Sequence, residues 1–95
     1  MGKYNMTIPK RLFGNLLGKK IKVIDSRDPT LIGREGIITF ETRNMFEIEL
    51  DNGKRIFIPK KICIFELYYD AKTKIILDGS VLVNRFRRLK KVLRG

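Results

Sequence analysis

The stretch MFEIELDNGKRIFIPK, residues 45–60, is the most informative about the fold because it has the pattern of two strands joined by a tight turn. Phe46, Ile48 and Leu50 alternate with Glu47 and Glu49, so one face of the first strand is apolar and the other is polar. The Asp-Asn-Gly that follows is typical of a turn, and apolar positions return after it. The stretch therefore predicts an antiparallel hairpin with one buried face.

The register of this hairpin can also be predicted. A two-residue Asn52-Gly53 turn would set charged side chains opposite apolar ones and mix the two faces. A three-residue loop, Asp51 to Gly53 with Gly53 in the left-handed conformation, keeps the faces separate. It pairs Ile48 with Ile56, Phe46 with Ile58, and Glu49 with Arg55. We predict the three-residue loop, in which Glu49 and Arg55 balance their charges on the exposed face.

The flanking sequence supplies further strands. KKIKVID (residues 19–25) and REGIITFE (34–41) precede the hairpin, while KICIFELYYD (61–70) and TKIILDGS (73–80) follow it. SRDPT (26–30) and residues 70–72 are typical of turns, and residues 62–65 are apolar on both faces, which suits a strand buried from two sides. Five or six short strands in about 60 residues predict a mainly β fold, a small and strongly bent antiparallel sheet or barrel. Closure would also protect the sheet edges.

Both ends of the chain have the pattern of basic amphipathic helices. In TIPKRLFGNLLG, Thr7 can cap a helix and Gly18 can end it. In VNRFRRLKKVLRG, Asn84 can cap a helix whose apolar face includes Phe86 and Leu89. We predict one domain over residues 1–95, divided into a basic N-terminal helical segment (1–19), a β-barrel (20–83) and a basic C-terminal helix (84–95).

The net charge of +11 comes from the two ends. Residues 1–20 contain five Lys and Arg and no acid, and residues 85–95 contain six and no acid. All ten acids lie between these segments, where ten Lys and Arg offset them. A neutral body with basic ends indicates a polyanionic partner.

Catalysis by the chain itself has little support in the sequence. There is no His, and Cys63 lies in an apolar strand, where a thiol is expected to be inert. Asp25, Asp28 and Glu35 are the nearest approach to a metal-binding cluster, but Arg27 and Arg34 make ion pairs a better explanation. The N-terminus shows no secretion signal, and a lone cysteine suits a reducing compartment, so we expect a cytoplasmic protein.

Recognition of RNA fits the remaining features. Twenty-one Lys and Arg, no Trp and few candidates for exposed aromatic residues favour phosphate contacts over base stacking. Structured RNA suits such a surface better than single strands. A membrane surface is a weaker alternative, because Lys and Arg interrupt the apolar stripe of the short C-terminal helix.

Four segments together resemble the archaeal ribonuclease P protein component 1 family. They are Gly33-Arg34-Glu35-Gly36, Glu41-Thr42-Arg43-Asn44, Pro59-Lys60 and Asp78-Gly79-Ser80, in order and at family-like spacing. The resemblance covers residues 16–85, with a basic helix expected on each side. The chain departs from the family pattern at Met45-Phe46, Asn84 and Phe86.

The resemblance implies an Sm-like or SH3-like barrel of five to six strands with N- and C-terminal helices. It also implies a noncatalytic subunit of ribonuclease P, the ribonucleoprotein that removes the 5′ leader of precursor tRNA. In that enzyme the RNA carries the active site and binds Mg²⁺, so this chain would bind no cofactor and would meet precursor tRNA only indirectly. The expected partners are the specificity domain of the RNA and a small zinc-ribbon subunit. The isolated chain is expected to be a monomer.

The candidate residues fall into two sets. The bases expected to contact RNA are Lys10, Arg11, Lys19, Lys20, Arg34, Arg43, Lys60, Lys61, Arg85, Arg87, Arg88 and Lys91. The apolar residues expected to contact a partner protein, with packing on the barrel as the alternative, are Ile8, Leu12, Phe13, Leu16 and Leu17.

Other functions stay open at this level. An Sm-like ring protein or a ribosomal protein would share the basic barrel and differ in its partners. A stand-alone, Mg²⁺-dependent nuclease would cleave RNA without an RNA subunit, but the sequence offers no acid–base pair for that chemistry.

Overall fold

The computed structural model describes residues 16–83, which form a single antiparallel sheet. Its strands are β1 (Lys20–Ser26), β2 (Glu35–Glu41), β3 (Met45–Glu49), β4 (Arg55–Pro59), β5 (Cys63–Tyr68) and β6 (Lys74–Asp78). Their order in the sheet is β4-β3-β2-β1-β5-β6. The mainly β architecture predicted from the alternating pattern is confirmed. No helix in the described part of the chain is long and apolar enough to cross a membrane.

The six described strands form the small antiparallel sheet that was predicted, and strand pairing does not close it into a complete barrel. Strands β4 and β6 lie at its two edges, and no ladder joins them within residues 16–83. The edges nevertheless approach each other at one corner, because Gly79, just after β6, lies against the Lys60 carbonyl, just after β4. A side chain at Gly79 would overlap that oxygen. Backbone packing thus joins the edges where strand pairing does not.

The hairpin of β3 and β4 has the predicted register. Ile48 pairs with Ile56, Phe46 with Ile58, and Glu49 with Arg55. The three-residue loop is closed by hydrogen bonds between Leu50 and Lys54 and between Gly53 and Leu50, and Gly53 has a φ of 85°. The Arg55 Nε lies 3.4 Å from the Glu49 carboxylate. Separation of an apolar and a polar face was sufficient to predict this pairing.

Two irregularities bend the sheet. The β1–β5 pairing shifts between Val23 and Asp25, and the β2–β3 pairing shifts between Ile38 and Phe40. Such bulges increase local twist and let a strand turn a corner. The sheet folds over a core in which Phe46 of β3 and Phe65 of β5 meet edge to face, with ring centres 5.4 Å apart. Because β3 and β5 are not neighbours in the sheet, this contact requires strong curvature.

The segment after β6 begins a helix earlier than the sequence pattern predicted. Residues 79–83 are helical. The Asp78 carboxylate accepts hydrogen bonds from the Ser80 backbone N–H at 2.9 Å and the Ser80 hydroxyl at 2.8 Å, as a helix cap does. Asp78 therefore caps the helical residues 79–83, and the predicted cap Asn84 lies outside the described residues. Of the predicted N-terminal helical segment (1–19), only residues 16–19 are described, and they form a turn instead of a helix. The rest of that segment and the predicted C-terminal helix (84–95) lie outside the described residues, and the division into three segments stays a prediction.

Candidate nucleic-acid interface

Lys60 is completely buried. Its ammonium lies 2.6 Å from Glu41 Oε2, donates to the Thr42 carbonyl at 2.7 Å, and stands 4.7 Å from the centre of the Phe46 ring. A buried ammonium that is paired and hydrogen-bonded is a structural group. The prediction that Lys60 contacts RNA is therefore wrong for this structure. A lysine in a polar turn is normally exposed, so its burial could not be predicted from the residue pattern.

Lys60 fixes the loop between β2 and β3. Its ammonium reaches the Arg43 carbonyl at 3.3 Å, and its backbone N–H donates to the Asn44 carbonyl at 2.8 Å. Arg43 lies in this loop and Lys61 directly follows Lys60, and the side chains of both residues are exposed. Arg43 and Lys61, both predicted to contact RNA, therefore belong to backbone segments that the contacts of Lys60 hold in place.

The fourth family-like segment, Asp78-Gly79-Ser80, contacts the same residue. A Cβ at Gly79 would overlap the Lys60 carbonyl oxygen and lie 2.7 Å from the Cys63 carbonyl oxygen. The segments containing Glu41 to Asn44, Pro59-Lys60 and Asp78 to Ser80 thus converge around one buried lysine. Their spacing in the sequence gives no hint of this convergence, which the tertiary fold produces.

Arg34 is exposed beside the turn that precedes β2. Gly33 adopts a φ of 90°, and Arg34 Nε donates to the Thr30 carbonyl at 3.3 Å. Its neighbour Glu35 pairs with Lys20 across β1 and β2 at 3.1 Å. The Arg34 side chain thus remains accessible to a ligand, although its Nε is already hydrogen-bonded to the Thr30 carbonyl.

Lys19 and Lys20 contact tyrosines on β5 and just beyond it. Lys19 Nζ lies 4.6 Å from the centre of the Tyr69 ring and donates to the Tyr69 carbonyl at 3.2 Å. Lys20 Nζ lies 5.2 Å from the centre of the Tyr68 ring. Lys20 begins β1, as the strand pattern predicted, and Lys19 directly precedes it, so both lysines lie at the start of the sheet.

Of the predicted partner contacts that the structure describes, one is buried and one is exposed. Leu16 is 1% exposed and belongs to the core, so its assignment to a partner surface is wrong. Leu17, the next residue, is 51% exposed. Ile8, Leu12 and Phe13 lie outside the described residues. So do the candidate RNA contacts Lys10, Arg11, Arg85, Arg87, Arg88 and Lys91.

Reactive groups in the described region are engaged in structure. Burial raises the pKa of the Cys63 thiol, which lies 3.4 Å from the Ser26 hydroxyl. Hydrogen bonds from Thr30 to Asp28 hold the pKa of that carboxyl below its usual range. Asp28 is thus a turn cap and not the ion-pair partner expected, and Glu35 forms its ion pair with Lys20 instead of a neighbouring arginine. Residues 16–83 contain no group of three His, Cys, Asp or Glu side chains that could hold a metal ion.

Exposed aromatic residues are more prominent than the sequence suggested. Phe40 and Phe57 are each 52% exposed, and both are register partners of Glu47 on the central strand β3. The bulge between Ile38 and Phe40 turns Phe40 to the outer face, which strict alternation through β2 would not predict. The Tyr68 ring, by contrast, has lysines as its cross-strand partners.

Comparison with known proteins gives consistent matches. A family model described as Ribonuclease P/MRP, subunit p29, matches residues 9–91. Ribonuclease P protein component 1 of Sulfurisphaera tokodaii is 50% identical over 74 residues, which cover 78% of this chain and 94% of that protein. The component of the same name in Pyrococcus horikoshii is 42% identical over 82 residues, covering 84% of this chain and 62% of that protein.

A solved structure agrees with these sequence matches. It is described as Mth11, a homologue of human RNase P protein Rpp29, and it is 32% identical to this chain. The similarity covers 73% of this chain and 88% of that one, with a TM-score of 0.58. Fold and sequence thus lead to the same conclusion: this chain belongs to the ribonuclease P/MRP subunit p29 family, a family of protein subunits of the tRNA-processing endoribonuclease ribonuclease P.

Proposed function

We propose that this chain is a noncatalytic subunit that binds ribonuclease P RNA and supports removal of the 5′ leader of precursor tRNA. The observation that carries the proposal is the convergence on Lys60, which leaves Arg43 and Lys61 exposed on fixed backbone. Glu41, in the same corner, is neutralised by Lys60. Cations held on ordered backbone bind phosphate with a smaller entropic cost than cations on a flexible loop.

The charge of the whole chain supports the same role. A net charge of +11, with acid-free basic segments at both ends, suits neutralisation of closely spaced RNA phosphates. In this proposal the hydrolytic chemistry and its Mg²⁺ belong to the RNA, and this chain stabilises the RNA fold. The specificity domain of the RNA is the expected site of binding.

The proposal includes a protein partner, the small zinc-ribbon subunit of ribonuclease P. The apolar positions Ile8, Leu12, Phe13 and Leu17 would contact it. Leu17 supports this because a leucine with half of its surface exposed lies directly beside the core residue Leu16. Replacing Leu17 by Glu should lower affinity for the zinc-ribbon subunit, whereas Phe57→Glu, at an equally exposed position on β4, should leave that affinity unchanged.

The test of RNA binding uses the full chain and ribonuclease P RNA transcribed in vitro. The dissociation constant is measured between 50 and 200 mM salt, with an unrelated structured RNA of equal length as competitor. A chain that makes about six to ten phosphate contacts should lose about 10³ to 10⁵ in affinity over this range. Arg43→Gln with Lys61→Gln should reduce the log–log salt slope by about two, whereas Lys54→Gln, at an exposed position in the hairpin loop, should not change it.

Two outcomes would overturn the proposal. Equal affinity for the unrelated RNA would leave a general polyanion-binding protein. Cleavage of precursor tRNA by the purified chain without any RNA subunit would make it a nuclease in its own right. Tighter binding of ribonuclease P RNA, with no cleavage by the chain alone, is the expected result.

A further inference from the structure

One face of the sheet carries a tyrosine between two lysines. Tyr68 of β5 pairs with Lys20 of β1 on one side and with Lys74 of β6 on the other, so the three side chains form a row across adjacent strands. Lys20 Nζ and Lys74 Nζ lie 5.2 and 5.1 Å from the centre of the Tyr68 ring. Both lysines are exposed, and Tyr68 is partly exposed.

The surroundings of this row favour an anionic ligand. Lys19 is not part of the row, because it contacts the Tyr69 ring, which packs against the core on the other side of the strand. The Asp70 carboxylate in the adjacent turn accepts the backbone N–H groups of Lys72 and Thr73, each at 2.8 Å. Glu35 is already paired with Lys20. Asp70 and Glu35 are thus engaged, and Glu66, the register partner of Lys22 two residues before Tyr68, is buried. The side chains of Lys20 and Lys74, by contrast, are exposed.

We infer that the Lys20–Tyr68–Lys74 row is a second RNA contact, which takes an unpaired nucleotide with its base against Tyr68 and its flanking phosphates on the two lysines. An aromatic side chain on the face of an antiparallel sheet can stack any base. An exposed lysine side chain is flexible enough to exchange a weak contact with an aromatic ring for a charge-assisted hydrogen bond to phosphate. The inference rests on the proposed function and goes beyond it, because the sequence predicts phosphate contacts without stacking.

The row is separate from the surface around Arg43 and Lys61. Cys63, at the start of β5, donates its backbone N–H to the Lys60 carbonyl at 3.2 Å. Tyr68 lies five residues further along the same strand, or about 17 Å at the usual rise of a strand. The two sites can therefore be occupied together by different parts of one RNA.

Phe57 provides a matched control for the aromatic ring. It is 52% exposed on the edge strand β4, but its register partner is Glu47 instead of a lysine. The Glu47 carboxylate beside the Phe57 ring would repel the phosphate of a nucleotide stacked there. We therefore expect the exposed Phe57 ring not to bind a nucleotide as the Lys20–Tyr68–Lys74 row does. Lys54, exposed in the loop between β3 and β4, is the corresponding control for charge.

The experiment measures binding of the full chain to a ten-nucleotide single-stranded RNA that contains one 2-aminopurine, and to ribonuclease P RNA. Tyr68→Leu should weaken binding of the oligonucleotide about tenfold and abolish quenching of the 2-aminopurine, whereas Tyr68→Phe should retain both. Phe57→Leu should change neither. Lys74→Gln should reduce the salt slope for the oligonucleotide by about 0.7, and Lys54→Gln should leave it unchanged.

The outcomes separate this inference from the proposed function. Unchanged affinity and quenching in Tyr68→Leu, with ribonuclease P RNA still bound, would overturn the inference alone. Failure of the unmodified chain to bind ribonuclease P RNA would overturn the proposed function. Circular dichroism checks the fold of each variant; if Tyr68→Leu does not fold, an unchanged salt slope in Lys74→Gln would overturn the inference instead.

Discussion

The ammonium of Lys60 lies 2.6 Å from the carboxylate of Glu41, and the lysine has no exposed surface. The two residues lie at the ends of β4 and β2, strands that β3 separates in the sheet. The pair thus ties the edge hairpin to the centre of the sheet across the loop that carries Arg43. A buried pair of this kind specifies a geometry more than it adds net stability.

Lys60→Met should destabilise the fold by about 3–5 kcal/mol, because it leaves the Glu41 carboxylate and two carbonyl groups without the ammonium that they contact. Urea unfolding followed by circular dichroism measures this change. Lys61→Met, at the exposed neighbouring position, should change the free energy of unfolding by less than about 0.5 kcal/mol. Similar effects at both positions would mean that Lys60 is not buried in solution.

Gly79→Ala should also destabilise the protein, because its Cβ would overlap the Lys60 carbonyl oxygen and crowd the Cys63 carbonyl oxygen. Both neighbours are backbone atoms, so the cost should exceed the roughly 1–3 kcal/mol typical of overpacking a core. Gly53→Asn is the control, since open space surrounds Gly53 and asparagine tolerates its positive φ. Thermal unfolding compares the two variants, and equal midpoints would contradict the close approach at Gly79.

Leu16 and Leu17 should respond differently to the same substitution. Leu16→Glu places a carboxylate at a position that is 1% exposed and should prevent folding, whereas Leu17→Glu, at a position that is 51% exposed, should leave the fold intact. Circular dichroism distinguishes the two results. A folded Leu16→Glu protein would restore Leu16 to the candidate partner surface.

Cys63 should react slowly with iodoacetamide in the native state and rapidly in urea, because the thiolate is the reactive form and burial disfavours it. Burial raises the pKa of the folded thiol above the ordinary value of 9.0. The unfolded thiol therefore ionises first as pH rises. The stability that depends on a neutral thiol is fully present below about pH 9 and is lost above it.

Mass spectrometry of the alkylated protein and urea unfolding at pH 7 and pH 10 measure both effects. Cys63→Ala is the control for the pH dependence of stability. The free energy of unfolding of this variant should fall less between pH 7 and pH 10 than that of the unmodified protein. Rapid labelling of the native protein at pH 7 would show that the thiol is accessible.

Local pattern was sufficient for the strands and for the β3–β4 hairpin. Alternation of apolar and charged residues placed Ile48 opposite Ile56, because a two-residue Asn52-Gly53 turn would set charged side chains opposite apolar ones. The position of Lys60 could not be predicted in this way. Its burial depends on Glu41, nineteen residues earlier, and on a curvature that single strands do not encode.

The residue pattern was enough to predict the mainly β class, the charge segregated to the two ends, the left-handed Gly53 turn and the family, because each depends on residue type at short range or on ordered segments of matching sequence. The open sheet, the burial of Leu16 and Lys60, and the position of Tyr68 between Lys20 and Lys74 depend on how the whole chain folds and could not be predicted from that pattern. These features bring together residues separated by up to 54 positions in the chain. Such contacts arise when one continuous sheet curves over a shared core, and that curvature is a property of all the strands together.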